Sequence, residues 1–335
     1  MIGDVILPST TAAEWPKIRA EIRARVLASM GEPPEDLGRA PATCEELERY
    51  EKHGLTHVRI RYHVVDDLYN EMICVLPATV PACPGDALPL RSGLRSDAVA
   101  SPAPAVLCMH GTNRGIGAAG VIDPTIPKRA YVGVAPDLLG FGASIAGSTQ
   151  KDVIDAFFKR YPAWSLDGVR LADHTRAIDA LETLPFVAKG GVGAIGNSLG
   201  GRSVMYVAAL DERVRAAVSS TGVSPNATNV FRSCTIQTEL SPALSRAIMT
   251  HGKIPWDYHE MIALAAPRAL LAIEPWNDTE NPYVAPIMEC FRSATAAWRL
   301  LGHPERVSLL IHGEGHDTPD GIREYAYRWF DRFLK

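Results

Sequence analysis

The segment around Ser198 has the residue types and spacing of an activated serine nucleophile. An apolar run at residues 192–195 leads into Gly196, Ser198 and Gly200, and a helical pattern follows. The G-x-S-x-G motif needs small residues two places before and after the serine, because the strand turns sharply into the helix there. Ser198 is therefore predicted to project from this turn, where a helix N-terminus favours negative charge. A glycine-rich turn with a capping serine is the alternative interpretation.

A serine nucleophile needs a general base, and His316 is the best placed of the ten histidines. It follows the apolar run at residues 307–311 and precedes the C-terminal helical pattern. Gly313 and Gly315 allow the chain to fold back towards Ser198. His312 still belongs to the strand end and is kept as the second choice.

A third group must orient the base, and Asp278 is the predicted acid. It occupies a polar loop after the apolar run at residues 269–273, whereas Glu274 is still close to that strand. Residues 223–238 contain no Asp or Glu, so an acid after the preceding strand has no candidate. An Asx turn is the structural alternative for Asp278.

The negative charge that develops on the carbonyl oxygen during acyl transfer needs hydrogen-bond donors. The amide of Leu199, directly after the nucleophile, is predicted to be the first. The glycine-rich turn after residues 105–109 can supply the second from the amide of Thr112. His110, in the same turn, is interpreted as a structural residue under the loop.

The elements that must position these residues alternate between short apolar runs and helical segments. Runs at residues 105–109, 131–135, 192–195, 215–219, 269–273 and 307–311 are apolar on both faces, which favours a parallel sheet covered by helices on both sides. Helical spacing of apolar residues marks residues 169–184, 199–210, 286–301 and 321–334.

The predicted organisation divides the chain at residue 104. Residues 1–104 hold an amphipathic helix at 14–30, an antiparallel hairpin at 55–63 and 68–76, and a Pro- and Gly-rich loop at 77–104. Residues 105–335 form the catalytic core. About forty residues separate the runs at 215 and 269, and residues 223–262 are interpreted as a cap or lid.

Composition limits the classes of function that the chain can have. The 335 residues are 47% hydrophobic and 21% charged, with a net charge of −4 and no basic run, so a globular fold is expected and nucleic-acid binding is not. No apolar stretch is long enough to span a membrane. Six scattered cysteines without metal-ligand spacing, and a start unlike a signal peptide, predict reduced thiols and a cytoplasmic location.

The chain resembles the α/β-hydrolase superfamily, which has the chain order serine, acid, histidine. The marks are His110-Gly111, the segment from Pro136 to Gly142, the serine motif, Asp278, and residues 313–316. The N-terminal helix, the hairpin and residues 257–268 further resemble the dienelactone hydrolase and acetyl xylan esterase-like branch. Dienelactone hydrolases proper use cysteine, so a serine at position 198 favours ester cleavage over their lactone hydrolysis.

The resemblance implies a carboxylic ester hydrolase that acts on a modest-sized ester and needs no metal or organic cofactor. Phe141, Trp256 and Trp276 are candidates to line the acyl or alcohol pocket. The expected partner is a small-molecule ester, and an oligomer is compatible with the sequence. Two alternatives stay open: a peptidase or amidase of the same fold, and a non-catalytic binding protein on a hydrolase scaffold.

Overall fold

The computed structural model describes residues 2–38, 41–77, 102–112, 121–145, 147–228, 242–251, 254–282 and 284–335. Most of the predicted loop at 77–104 lies outside the described residues. So do residues 229–241 of the predicted lid.

One nine-stranded mixed sheet organises the chain, in the order β1-β2-β3-β5-β4-β6-β7-β8-β9. The strands are β1 (Cys44–Lys52), β2 (Leu55–Val65), β3 (Leu68–Val75), β4 (Ala105–Met109), β5 (Val132–Pro136), β6 (Val192–Asn197), β7 (Val214–Ser220), β8 (Ala269–Pro275) and β9 (Val307–His312). Strands β4 to β9 pair in parallel, while β1, β2, β3 and β5 pair antiparallel in succession. The mostly parallel α/β-hydrolase fold and the N-terminal hairpin are confirmed.

Helices cover both faces of the sheet, as the apolar strands predict. The helices of the described residues are α1 (Trp15–Ser29), α2 (Thr125–Lys128), α3 (Gln150–Arg160), α4 (Leu166–Leu181), α5 (Leu199–Leu210), α6 (Pro242–His251), α7 (Tyr258–Leu264), α8 (Val284–Leu300) and α9 (Asp320–Phe333). Within the described ranges, no helix is both long enough and apolar enough to cross a bilayer.

Alternate residues of each central strand enter two separate hydrophobic cores. Leu107 and Leu270 belong to the larger core, with α1, α4, α5, α7 and α8. Cys108 and Leu271 point the other way, into a smaller core closed by α9. Because side chains alternate along a strand, the parallel strands are buried on both faces.

Strand β1 is the one strand of this sheet that the sequence pattern did not predict. Its residues are half-buried or exposed, and Glu45, Glu46, Glu48 and Glu51 interrupt any apolar alternation. The strand forms because its backbone pairs with β2 at the edge of the sheet, and a bulge lies between Glu46 and Glu48. An edge strand has only one neighbouring strand, so its sequence carries a weaker signal.

Helix α1 packs on α7, which is the partner surface that its apolar face requires. Trp15, Ile22 and Val26 are buried on that face, whereas Leu27 is 38% exposed. The first five residues of helix α7 lie inside the interval predicted as a lid, but Tyr258, Met261 and Ile262 are buried in the larger core. This part of residues 223–262 is therefore core.

Candidate active site

Ser198 lies at the sharp turn between β6 and α5. Its φ of 58° and ψ of −119° place it in a conformation that non-glycine residues rarely adopt. A β-carbon at Gly196 would collide with the backbone of Gly200, and one at Gly200 would collide with the carbonyl oxygen of Met109. The two motif glycines are thus required by close backbone contact, as the spacing predicts.

His316 and Asp278 are hydrogen-bonded to each other. Nδ1 of His316 lies 2.8 Å from Oδ2 of Asp278. The carboxylate side chain is only 1% exposed, and its Oδ1 accepts hydrogen bonds from the backbone amides of Glu280 and Asn281. These contacts hold the carboxylate rigidly and leave Oδ2 for the imidazole. The Asx-type turn therefore coexists with the contact to His316.

Ser198 and His316 line the same cavity, which has a volume of about 660 Å³. The cavity opens where parallel strands of the sheet end, which is the usual position for a ligand site in an open α/β sheet. Thr112 and Gly111 lie in its wall. The serine and the histidine, far apart in sequence, are thereby brought together.

The predicted oxyanion donors lie beside the nucleophile. Leu199 is the first residue of α5, so its amide belongs to the turn that lacks intrahelical acceptors. A β-carbon built on Gly111 would lie 3.9 Å from the β-carbon of Ser198, so the turn that carries Thr112 lies against the nucleophile. The roles of both amides stay predictions.

The second-choice residues for base and acid, His312 and Glu274, accept hydrogen bonds from other groups. Nδ1 of His312 accepts a hydrogen bond from the amide of Glu314, and His312 does not line the cavity with Ser198. Glu274 is fully buried, and its Oε1 accepts a hydrogen bond from the amide of Val223.

The structure does not place the three predicted pocket aromatics in this cavity. Trp256 is 1% exposed; its indole N–H donates to Ser29 Oγ at 2.8 Å, and its ring packs against Tyr206 and Tyr258. It is a core residue that anchors α1, so its assignment to the pocket is corrected.

Phe141 and Trp276 are also outside the cavity lining. Phe141 is buried with its ring edge-to-face against His110, 5.1 Å between centroids, and so packs against the turn that carries Thr112. Trp276 is 66% exposed at the loop that carries Asp278. Sequence proximity to the triad did not determine which aromatic residues face the cavity.

A polar network that the sequence analysis missed supports Ser198. The amide of Ser198 donates to Thr221 Oγ1 at 2.8 Å, and Nδ2 of Asn197 donates to the same oxygen at 3.1 Å. Thr318, two residues after His316, donates its hydroxyl to Ser220 Oγ at 2.7 Å. The network ties the histidine loop to the turn that carries the nucleophile. The only sequence signal was the position of Asn197 and Thr318 beside predicted triad residues.

Replacing Thr318 with valine should destabilise the fold by about 1–2 kcal/mol, because it leaves buried polar atoms without this hydroxyl. Urea unfolding measures the difference. Thr295→Val is the matched control, since the Thr295 hydroxyl is bonded in an exposed position and its loss should cost less than about 0.5 kcal/mol. Equal effects of both substitutions would contradict a special role for the network.

His174 is a buried neighbour of this region whose pKa is far below the usual value for histidine. Burial, followed by the charges of His110 and Arg170, lowers its pKa to about 3. Neither ring nitrogen has a hydrogen-bond partner among the described residues. The neutral imidazole is therefore the form that the folded protein accommodates.

This pKa predicts a loss of stability in acid. The unfolded chain binds a proton at His174 below about pH 6.5, whereas the folded chain does not until about pH 3. The contribution to stability is thus present above pH 6.5 and lost as the pH falls. Relative to a His174→Met variant, wild type should lose about 2 kcal/mol between pH 7.5 and pH 5 in chemical denaturation. Parallel pH curves for the two proteins would contradict this assignment.

Comparison with known proteins agrees with this geometry. A family model described as "Glucuronyl esterase, fungi" matches residues 96–302. A 4-O-methyl-glucuronoyl methylesterase 1 from Wolfiporia cocos is 28% identical over 182 residues, which cover 48% of this chain and 44% of the relative. The match thus spans less than half the length of that curated relative.

Solved structures share the fold along almost the whole chain. A glucuronoyl esterase from Solibacter usitatus superposes with a TM-score of 0.73 at 19% identity, covering 99% of this chain and 97% of the other. A candidate acetyl xylan esterase from Bacteroides fragilis NCTC 9343 gives 0.64 at 16% identity, covering 97% and 84%. These likenesses establish the fold. Since the family model matches more than half of the sequence, the chain belongs to the glucuronyl esterase family of α/β-hydrolases.

Proposed function

We propose that this protein is a serine ester hydrolase that cleaves a carboxylic ester through an acyl-enzyme. The observation that carries the proposal is the convergence of Ser198 and His316 on one cavity, with Asp278 hydrogen-bonded to the imidazole. A nucleophile, a base and a group that orients the base are the minimum set for acyl transfer by serine.

In the proposed mechanism, Oγ of Ser198 attacks the ester carbonyl while Nε2 of His316 accepts its proton. The imidazolium, held by Asp278, then returns that proton to the leaving alcohol. The amides of Leu199 and Thr112 stabilise the negative oxygen of the tetrahedral intermediate. Water then attacks the acyl-enzyme with His316 as the base, which releases the carboxylic acid and restores Ser198. Each catalytic group in this proposed cycle is a side chain or a backbone amide of the protein, so EDTA is expected to leave the rate unchanged.

The proposed substrate is an ester of a uronic acid with a small or modest-sized alcohol. The name of the Wolfiporia cocos relative suggests the class, and the character of the cavity supports it. Several polar side chains line the cavity, and their donors and acceptors can form hydrogen bonds with sugar hydroxyls. They belong to Asp123, Asn197, Glu280, Thr318 and Arg323. A volume of about 660 Å³ accommodates a ligand of that size.

The test compares three substrates: p-nitrophenyl acetate, methyl glucuronate and glucuronamide. Turnover of both esters and not of the amide is expected. Hydrolysis of p-nitrophenyl acetate alone would retain the esterase and remove the uronate assignment. Faster turnover of the amide would favour an amidase of the same fold.

A fluorophosphonate probe separates the enzyme from a non-catalytic binding protein, because it reacts only with an activated serine. Labelling at Ser198 is expected, and it should disappear in a His316→Ala variant. Failure of the intact protein to label would support the binding alternative.

We also propose a cytoplasmic location and a kinship with dienelactone hydrolase-like esterases. Cys74, Cys108 and Cys290 are buried free thiols, and Cys44 is a half-buried one, which suits a reducing compartment. The proposed relation to these esterases rests on the N-terminal helix, the early hairpin and residues 257–268. Asp257 and Glu260 there form the capping box of α7, and Glu260 also pairs with Arg25 of α1. Fractionation of the source cells tests the location.

A further inference from the structure

A second cavity, of about 590 Å³, lies where the parallel strands begin, at the opposite end of these strands from Ser198. Its lining includes Arg215, near the start of β7, and Ala269, the first residue of β8. Ser198 lies where the parallel strands end. Strand β8 has seven residues and spans about 20 Å, so the two cavities are separate.

The lining of this second cavity is strongly basic. One carboxylate, Glu212, accompanies five guanidinium groups among the described lining residues. They are Arg19, Arg215, Arg268, Arg306 and Arg332.

Arg19 and Arg268 are fixed close to one another in this lining. Nη2 of each donates to the carbonyl oxygen of Leu264 at 3.3 Å, so these two nitrogens are at most twice that distance apart. Nη1 of Arg268 also donates to the carbonyl oxygens of Asp211 and Val214. Neutral carbonyl groups hold the Arg268 guanidinium in place without neutralising its charge.

Burial and the neighbouring positive charges both lower the pKa of Arg268. Burial and then the charge of Arg19 lower its pKa to about 10, and Arg215 acts in the same direction. The carboxylates of Glu212 and Asp211 oppose this shift, but Glu212 is paired with Arg19 and Asp211 with Arg213. The acids nearby are therefore already engaged.

The other three guanidinium groups have N–H groups that can donate hydrogen bonds to a ligand. In the described part of the chain, Arg215 and Arg332 form no ion pair with a carboxylate, and Arg332 lies over the ring of Phe333 at 4.8 Å. Arg306 has Glu305 at 3.5 Å, with both side chains partly exposed. Exposed arginine side chains are ordinarily solvated, but these three line a concave site that Arg19 and Arg268 also line.

We propose that this cavity is a binding site for a small anion that carries at least two phosphate, sulfate or carboxylate groups. Guanidinium groups bind such oxyanions through paired hydrogen bonds, and several of them around one concave surface favour a multivalent ligand over a monovalent one. The ligand would offset the mutual repulsion of the arginines.

Isothermal titration calorimetry at constant ionic strength tests the proposal with two probes, inorganic pyrophosphate and citrate. Saturable binding of at least one is expected. Binding of pyrophosphate alone would indicate a phosphoryl ligand, and binding of citrate alone would indicate a polycarboxylate. Binding of both would indicate a site that recognises only the charge of the ligand. No saturable heat with either anion would overturn the proposal.

Two variants with opposite expected effects locate the binding. Arg215→Gln should weaken the affinity about tenfold, because a charged donor is lost. Glu212→Gln should tighten it several-fold, because the only carboxylate among the described lining residues is removed. A merely structural cluster would not give this increase.

Arg328→Gln is the control for nonspecific charge effects, since Arg328 is 72% exposed and does not line the cavity. It should bind like wild type. A loss in Arg328→Gln equal to that in Arg215→Gln would show general screening and overturn the site. A cooperative thermal transition of Arg215→Gln without ligand would show that the variant is folded. At one pyrophosphate concentration, the rise in Tm should be smaller for Arg215→Gln than for wild type, because its affinity is lower.

Discussion

A Ser198→Ala variant should lose about 10⁶-fold in kcat for ester hydrolysis, on the scale that removal of a serine nucleophile has elsewhere. The hydroxyls of Ser220 and Thr318 also line this cavity but are hydrogen-bonded to each other, so neither is expected to form the acyl-enzyme in place of Ser198. The residual rate would come from binding and oxyanion stabilisation. Steady-state turnover of p-nitrophenyl acetate measures the loss.

Two controls make this result interpretable. Ser203→Ala, one helical turn further along α5, should retain most of the activity, because Ser203 is buried and outside the cavity with Ser198. Circular dichroism should show that Ser198→Ala is folded, since alanine replaces a side chain that caps nothing. Substantial turnover by the folded variant would place the nucleophile elsewhere.

An Asp278→Asn variant should lose about 10⁴-fold in kcat, as the analogous change does in the serine protease triad. The amide oxygen can replace Oδ1 and keep the hydrogen bonds from the amides of Glu280 and Asn281. The NH₂ group would then face Nδ1 of His316 and force that nitrogen to accept. Nε2 would carry the proton and could not take one from Ser198.

The loss in Asp278→Asn should therefore appear in kcat with little change in unfolding free energy. Glu274→Gln is the matched comparison, and it should retain far more activity because Glu274 accepts from the amide of Val223 in the buried end of β8. If Glu274→Gln were the more damaging of the two, the acid assignment would pass to Glu274.

The central sheet could be predicted because strands that are buried on both faces appear in the sequence as short apolar runs. Strands β4 and β6 begin where the pattern places them, and helix α5 has the predicted bounds. Helix α3 was missed, although Thr149 and Asp152 form a capping box that the sequence displays. Five of its eleven residues are apolar, but only Phe157 is buried, so the helix adds little to the core and its apolar pattern was overlooked.

The candidate site could be predicted only where chain order and strand ends determine position. Ser198, Asp278 and His316 follow three strands whose carboxyl ends meet at one edge, so their types and order sufficed. The wall of the cavity depends on long-range packing. Trp256 illustrates the difference: its place inside the predicted lid suggested a pocket residue, yet its indole N–H donates to Ser29, more than two hundred residues away in the sequence.

The acidic edge strand β1 limits how copies of this protein can associate. A second copy pairing with this edge would bring two rows of glutamates against each other, and the bulge between Glu46 and Glu48 would spoil the hydrogen-bond register. Only Glu46 has its charge matched by an ion pair to Arg49 within the strand. Growth of a continuous intermolecular sheet through β1 is therefore disfavoured, which protects the protein against edge-to-edge aggregation at high concentration.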